Sequence, residues 1–157
     1  MTRREELYTE LMRDVDFVLG GETDPVVWMA TLSCLIKQRL GFFWVGFYRV
    51  VKGDLTIGPY QGTLGCIRIP LSKGVCGASA SRGQTIVVPD VHKFPGHIAC
   101  DGRSLSEIVV PVFDEHNRLC AVLDVDSDQV EDFGPVDQRY LEDMVARMRG
   151  LEWETAN

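Results

Sequence analysis

The sequence predicts an α+β domain in which an antiparallel sheet of about six strands is flanked by helices. Three observations predict it. Both ends of the chain carry apolar residues at helical spacing. The middle switches to alternating, β-branched and aromatic runs, and polar or glycine-containing turns join most of those runs as hairpins, which pair antiparallel. The 157 residues match one domain, 1–157, large enough to fold without a disulfide or a metal.

Taken in order, Leu7, Leu11, Val15 and Val18 mark an amphipathic helix that Gly20 and Gly21 end. Asp24 and Pro25 form an N-cap and first-position pair, and Val26 to Leu40 follow as a second helix with Met29, Leu32, Ile36 and Leu40 on one face. The period changes at Gly41. FFWVGFYRVV, the turn KGD and LTIGPYQG read as a hairpin, and CIRIPL as a short strand that Cys66 begins. VCGASASRG is a short helix stopped by Gly83, and TIVVPD is a strand cut off by its proline. SEIVVPVFD and RLCAVLDVDS are strands joined by the turn EHN; Pro135 opens a last helix with Val136, Tyr140, Met144, Val145 and Met148 on its apolar face. Residues 91–105 have no period, and a structureless stretch of that length in a small domain is usually functional.

Sixteen basic against 23 acidic residues give a net charge of −7, which argues against nucleic acid or an anionic membrane as partner. The first twenty residues have no apolar h-region of a signal peptide, and no stretch is long enough to span a bilayer. The expected compartment is therefore the cytoplasm, where thiols stay reduced. The five cysteines (Cys34, Cys66, Cys76, Cys100 and Cys120) are an odd number, so any disulfide is expected to be transient and catalytic.

Cys34 and Cys120 lie in apolar surroundings and read as small core residues. Cys66, Cys76 and Cys100 lie at a strand start, a helix start and in the long loop, where a thiol can meet solvent. The helix N-terminus would lower the Cys76 pKa, and His97 and Arg103 could put positive charge near Cys100. His92, His97 and Cys100 have neither the spacing nor the fourth ligand of a zinc site, so no metal is expected. Asp124 and Asp126, two apart on a strand, face one side with Val122, unless the strand has ended before them and both are solvated, and Glu107 opens the strand expected to pair with theirs. Acids gathered in a pocket raise one another's pKa, so that some stay protonated and can donate a proton while another holds an ammonium. Trp44 and Tyr48 share a face with Gly46 between them, which either leaves a gap for a ligand or simply packs the two rings in the core.

The stretches WVGFYRV, GPYQG, CIRIPLSKGVCG, TIVVPDVHKFPGHIACD, RSLSEIVVPV and VLDVDS together resemble the free methionine-(R)-sulfoxide reductase family, which is built on a GAF domain. The resemblance runs from about Phe42 to Ser127. It implies that Cys100 is the nucleophile toward the sulfoxide of free methionine, that a sulfenic acid forms, and that Cys66, or else Cys76, condenses with it to a disulfide. It implies that Trp44 and Tyr48 line the substrate pocket and that Glu107, Asp124 and Asp126 bind the amine and polarise the sulfoxide oxygen. A thioredoxin-like reductant, no cofactor, a role in oxidative stress and a homodimer formed by the N-terminal helices are further implications. A non-catalytic, ligand-binding GAF sensor is the competing expectation.

Overall fold

The structure, a computed structural model, describes residues 1–154; the last three residues of the expected domain, 155–157, lie outside the described residues. Its α-helices are α1 (Arg3–Leu19), α2 (Pro25–Leu40), α3 (Gly74–Arg82) and α4 (Pro135–Ala146), and a single 3₁₀ turn, Val91–Lys93, opens the long loop expected to be without structure. Its strands are β1 (Trp44–Val51), β2 (Asp54–Gln61), β3 (Arg68–Pro70), β4 (Ile86–Val88), β5 (Ser106–Phe113) and β6 (Leu119–Ser127). The described strands form one antiparallel sheet in the order β3-β2-β1-β6-β5-β4, the α+β arrangement the sequence predicts.

Local chemistry explains the helix ends. The Thr2 hydroxyl accepts from the Glu5 amide and the Glu5 carboxylate accepts from the Thr2 amide, a capping box that starts α1. Asp24 accepts from the Val26 amide at 2.8 Å, Pro25 opens α2, and Gly41 takes the left-handed conformation that ends it. Asp114 accepts from the amides of His116 and Arg118 and so ties the β5–β6 turn.

The sheet separates two apolar clusters. On one side α1, α2 and α4 pack over Val45, Phe47, Ile108, Val110, Leu123 and Val125. On the other, α3 and the long loop pack over Trp44, Tyr48, Leu55, Val109 and Val122. Each fully buried Val, Leu or Phe contributes roughly 1.5–3 kcal/mol, so the three-helix side supplies most of the stability and leaves the other side free for chemistry.

Three boundaries differ from expectation. The buried stripe of α1 is Tyr8, Leu11, Val15 and Leu19, while Val18 is exposed. The phase shifts because Tyr8 enters the core with its hydroxyl satisfied, donating to Asp137 at 2.8 Å. In α4 Leu141, outside the expected face, is fully buried together with Met144; Val136 and Tyr140 are half-buried, and Met148 lies beyond the helix end. The strand expected from Cys66 onward begins at Arg68, so Cys66 lies in the preceding loop. Arg4 completes a polar knot around Tyr8, donating to Asp132 at 2.6 Å and Asp137 at 3.2 Å, and Ser127 donates to Asp132 at 2.5 Å. This ties α1 to α4 and to the end of β6.

Candidate active site

The pairing of the three central strands builds the floor of the site. Asp126 of β6 lies opposite Trp44 of β1 and Glu107 of β5; Asp124 lies opposite Gly46 and Val109. Because side chains alternate, Asp124, Asp126, Trp44 and Tyr48 all point to the face away from α1, α2 and α4. The strand does not end before the acids: β6 runs to Ser127, and Glu107, Asp124 and Asp126 are buried, at 6%, 6% and 8% exposure. An oxygen of each lies within 4.8 Å of an oxygen of the other two. Three acids so close could hold a cation, a metal or an ammonium.

Burial dictates their protonation. It drives the Glu107 and Asp126 pKa values well above the carboxylate range, and the neighbouring acids add to the shift. Burial also raises Asp124, but hydrogen bonds from Glu107 and Cys76 hold it at about 7. Asp124 is thus the member that ionises first, and its Oδ1 has no hydrogen-bond partner among the described residues. The floor combines neutral carboxyls, which can donate, with one buried acceptor oxygen left unpaired.

Trp44 and Tyr48 form the wall, with ring centroids 5.9 Å apart. The expected gap between them is closed. A Cβ on Gly46 would stand 2.7 Å from the Trp44 ring, and Tyr60 stacks on that ring at 5.1 Å. Gly46 therefore admits the tryptophan itself, and the ligand space lies beyond the rings. That space, about 530 Å³ with its open mouth included, also touches Cys76, His97, Ile98 and Cys100. It suits a small molecule, not a folded chain.

Two loops form the mouth. Residues 62–67 carry Cys66 and residues 94–105 carry Cys100; a disulfide joins the two cysteines, with Cα atoms 5.4 Å apart. Gly65 lets the first loop lie on the wall, since a Cβ there would stand 2.9 Å from Trp44 and 3.2 Å from the Tyr48 hydroxyl. Cys76 is a free thiol in α3, buried rather than reachable from solvent. The expected lowering of its pKa is reversed: burial, then the charges of Asp124, Glu107 and Asp126, push it well up. The helix field loses because desolvation and three acids oppose it.

Neither expected source of positive charge is free beside Cys100. Arg103 pairs with Asp101 at 2.7 Å, and burial, with His92 nearby, lowers the His97 pKa. The disulfide takes Cys100 out of any ligand set with His92 and His97. Cys34 and Cys120 are half-buried, away from this pocket.

Sequence reasoning placed the start of α3 and Cys76 within it, but gave its backbone amides no part in the site. Lys73 occupies the N-cap without a side-chain cap, and Gly74, Val75 and Cys76 line the pocket. Uncapped amides at a helix start attract anions. The signal was present: KG precedes this helix where Ser, Thr, Asp or Asn usually stands.

The GAF domain family profile matches residues 3–151. The chain is 40% identical to the free methionine-R-sulfoxide reductase of Escherichia coli (strain K12) over 146 residues, 92% of this chain and 88% of the relative. It is 42% identical to GAF domain-containing protein A of Dictyostelium discoideum, over 88% of this chain and 87% of that one. An X-ray structure of the Neisseria meningitidis free methionine-R-sulfoxide reductase in complex with its substrate superposes with a TM-score of 0.90 at 40% identity, covering 95% of this chain and 90% of that one.

Proposed function

The chain belongs to the free methionine-R-sulfoxide reductase family of GAF domains, and we propose that it reduces free methionine (R)-sulfoxide to methionine through Cys100. The observation that carries this reading is a disulfide, Cys66–Cys100, at the mouth of a small pocket floored by three mostly neutral acids.

Cys100 as thiolate attacks the sulfoxide sulfur. The sulfoxide oxygen takes one proton from the acid floor and passes to the Cys100 sulfur as the methionine sulfur leaves with its electron pair, so that Cys100 remains as a sulfenic acid. Glu107 and Asp126 are the proton donors, because burial keeps both protonated at neutral pH. Asp124, the acid that ionises first, pairs with the substrate ammonium. The uncapped start of α3 faces the substrate carboxylate, and Trp44 and Tyr48 enclose the methyl and side chain. An ammonium and a carboxylate recognised together select a free amino acid over a peptide residue. Cys66 then condenses with the sulfenic acid and releases water. A thioredoxin-like dithiol reduces the disulfide by exchange, which suits the reducing cytoplasm and a part in oxidative-stress defence. No cofactor is needed. Among the described residues no helix is long and apolar enough to cross a membrane.

We also propose a homodimer through the N-terminal helices, where Phe17 is 91% exposed, near Val18 and Val26 in the α1–α2 hairpin. Sedimentation at micromolar concentration tests this; a monomer for the wild type refutes it.

The activity is tested by NADPH consumption with thioredoxin, thioredoxin reductase and each epimer of free methionine sulfoxide. The expected result is turnover of the R epimer alone, abolished by Cys100→Ser. Turnover that survives Cys100→Ser overturns the mechanism, and the absence of turnover overturns the function.

A further inference from the structure

The two mouth loops are joined twice. One join is the Cys66–Cys100 disulfide. The other is polar. The Thr63 hydroxyl donates to Asp101 Oδ2 at 2.9 Å. Arg103 donates to Asp101 from its amide and Nε, both at 3.0 Å to Oδ1, and from Nη2 at 2.7 Å to Oδ2. Both ends of this chain return to β1 and the residue before it. The Arg103 guanidinium lies 5.1 Å from the Phe43 ring centroid, and the Thr63 carbonyl accepts from Trp44 Nε1 at 2.8 Å. Thr63 stands three residues before Cys66, and Asp101 directly follows Cys100.

We propose that Thr63, Asp101 and Arg103 form a positioning clasp that keeps Cys66 beside Cys100 when the disulfide is absent, and so sets the rate and the equilibrium of disulfide formation. The inference rests on reading these cysteines as the redox pair. Once the disulfide is reduced, the covalent join is gone, and residues 94–105 contain no helix or strand to hold Cys100 in place. The clasp persists because none of its bonds involves sulfur. Its donors also hold the Asp101 carboxyl well below the usual carboxylate range, Arg103 first and Thr63 after it, so the clasp stays charged at working pH.

Its effect falls on one step. After methionine has left, the Cys66 sulfur attacks the Cys100 sulfur. The S–S bond forms, the S–O bond of the sulfenic acid breaks, and hydroxide leaves with the Cys66 proton as water. No outside oxidant is required. The rate depends on the effective concentration of one thiol at the other, which a non-covalent join between their loops raises.

Thr63→Val removes the hydroxyl and keeps the carbonyl that holds Trp44; Thr63→Ser keeps both. Each is equilibrated, without substrate, in glutathione buffers of graded GSH and GSSG, and the fraction of Cys66–Cys100 disulfide gives the effective concentration. We expect roughly a fivefold fall for Thr63→Val, the scale of one partly exposed charge-assisted hydrogen bond. Arg103→Met should fall in the same direction and Thr63→Ser should match wild type. In single turnover of the reduced enzyme, methionine appears at the wild-type rate in Thr63→Val, while dimedone traps the sulfenic acid about five times longer. A wild-type glutathione equilibrium in both Thr63→Val and Arg103→Met overturns the clasp. If wild type yields no methionine from the free R epimer while the glutathione equilibrium still falls in the variants, the proposed function fails and the clasp stands.

Discussion

Each pocket residue has its own experimental signature. Cys66→Ser should release one methionine per enzyme and then stop, with Cys100 trapped as its dimedone adduct in mass spectrometry; continued turnover would shift the resolving role to Cys76. Asp124→Asn keeps the size and loses the charge, and should lower kcat/KM for the free amino acid about a hundredfold. Cys76→Ala removes a hydrogen bond that lowers the Asp124 pKa, so the midpoint near 7 should move to higher pH, read from the pH dependence of kcat/KM or from the carboxyl stretch in infrared titration. Cys76→Ser, which keeps a donor, should leave it near its wild-type position. The acids were legible in the sequence because two aspartates at a spacing of two on a strand must share a face, whatever the fold. Cys76 was not. Its position at a helix start suggested a lowered pKa, and only the arrival of three acids from β5 and β6 reverses the sign.

Among elements, β1 is the most constrained. Gly46→Ala places a methyl where the Trp44 ring lies, 2.7 Å away, and also runs into Tyr60. It should cost about 1–3 kcal/mol in urea unfolding, the usual range for overpacking, and raise KM by shifting the wall. Among the described residues, sequence patterning found the four α-helices and six strands because most of them carry a clear period of 3.6 or 2, and it missed the single 3₁₀ turn Val91–Lys93, which is too short to show one. It also missed where faces turn. In α1 the pattern at 7, 11, 15 and 18 fits a helical stripe as well as 8, 11, 15 and 19 does, and the decision rests on Asp137, more than a hundred residues away, accepting the Tyr8 hydroxyl. The start of β3 was misread for a similar reason: CIRIPL alternates from its first residue, but the disulfide draws Cys66 toward Cys100, away from the ladder.

For the whole molecule, the acid floor opposes folding. A carboxyl whose pKa is raised in the folded state contributes most below its unfolded pKa, near 4, and that contribution is lost as pH rises through the folded value. For Asp124 the loss extends to about pH 7, and for Glu107 and Asp126 it continues above. The urea midpoint of the ligand-free protein should therefore fall between pH 5 and 8. Glu107→Gln should flatten that fall and make the protein more stable at pH 8 while it loses activity; an equal fall in the variant would contradict the assignment. The sheet that separates helices from pocket has one more consequence. Along β6, Leu123 and Val125 face the helices and Asp124 and Asp126 face the site. The strand thus has something like a reading frame. Deleting or inserting one residue within it would deliver the acids to the oily side and the aliphatics to the substrate, a change no local repacking repairs. Length variation in this part of the gene should be tolerated only in the β5–β6 turn, residues 114–118, where the count of residues decides nothing about which side a side chain faces.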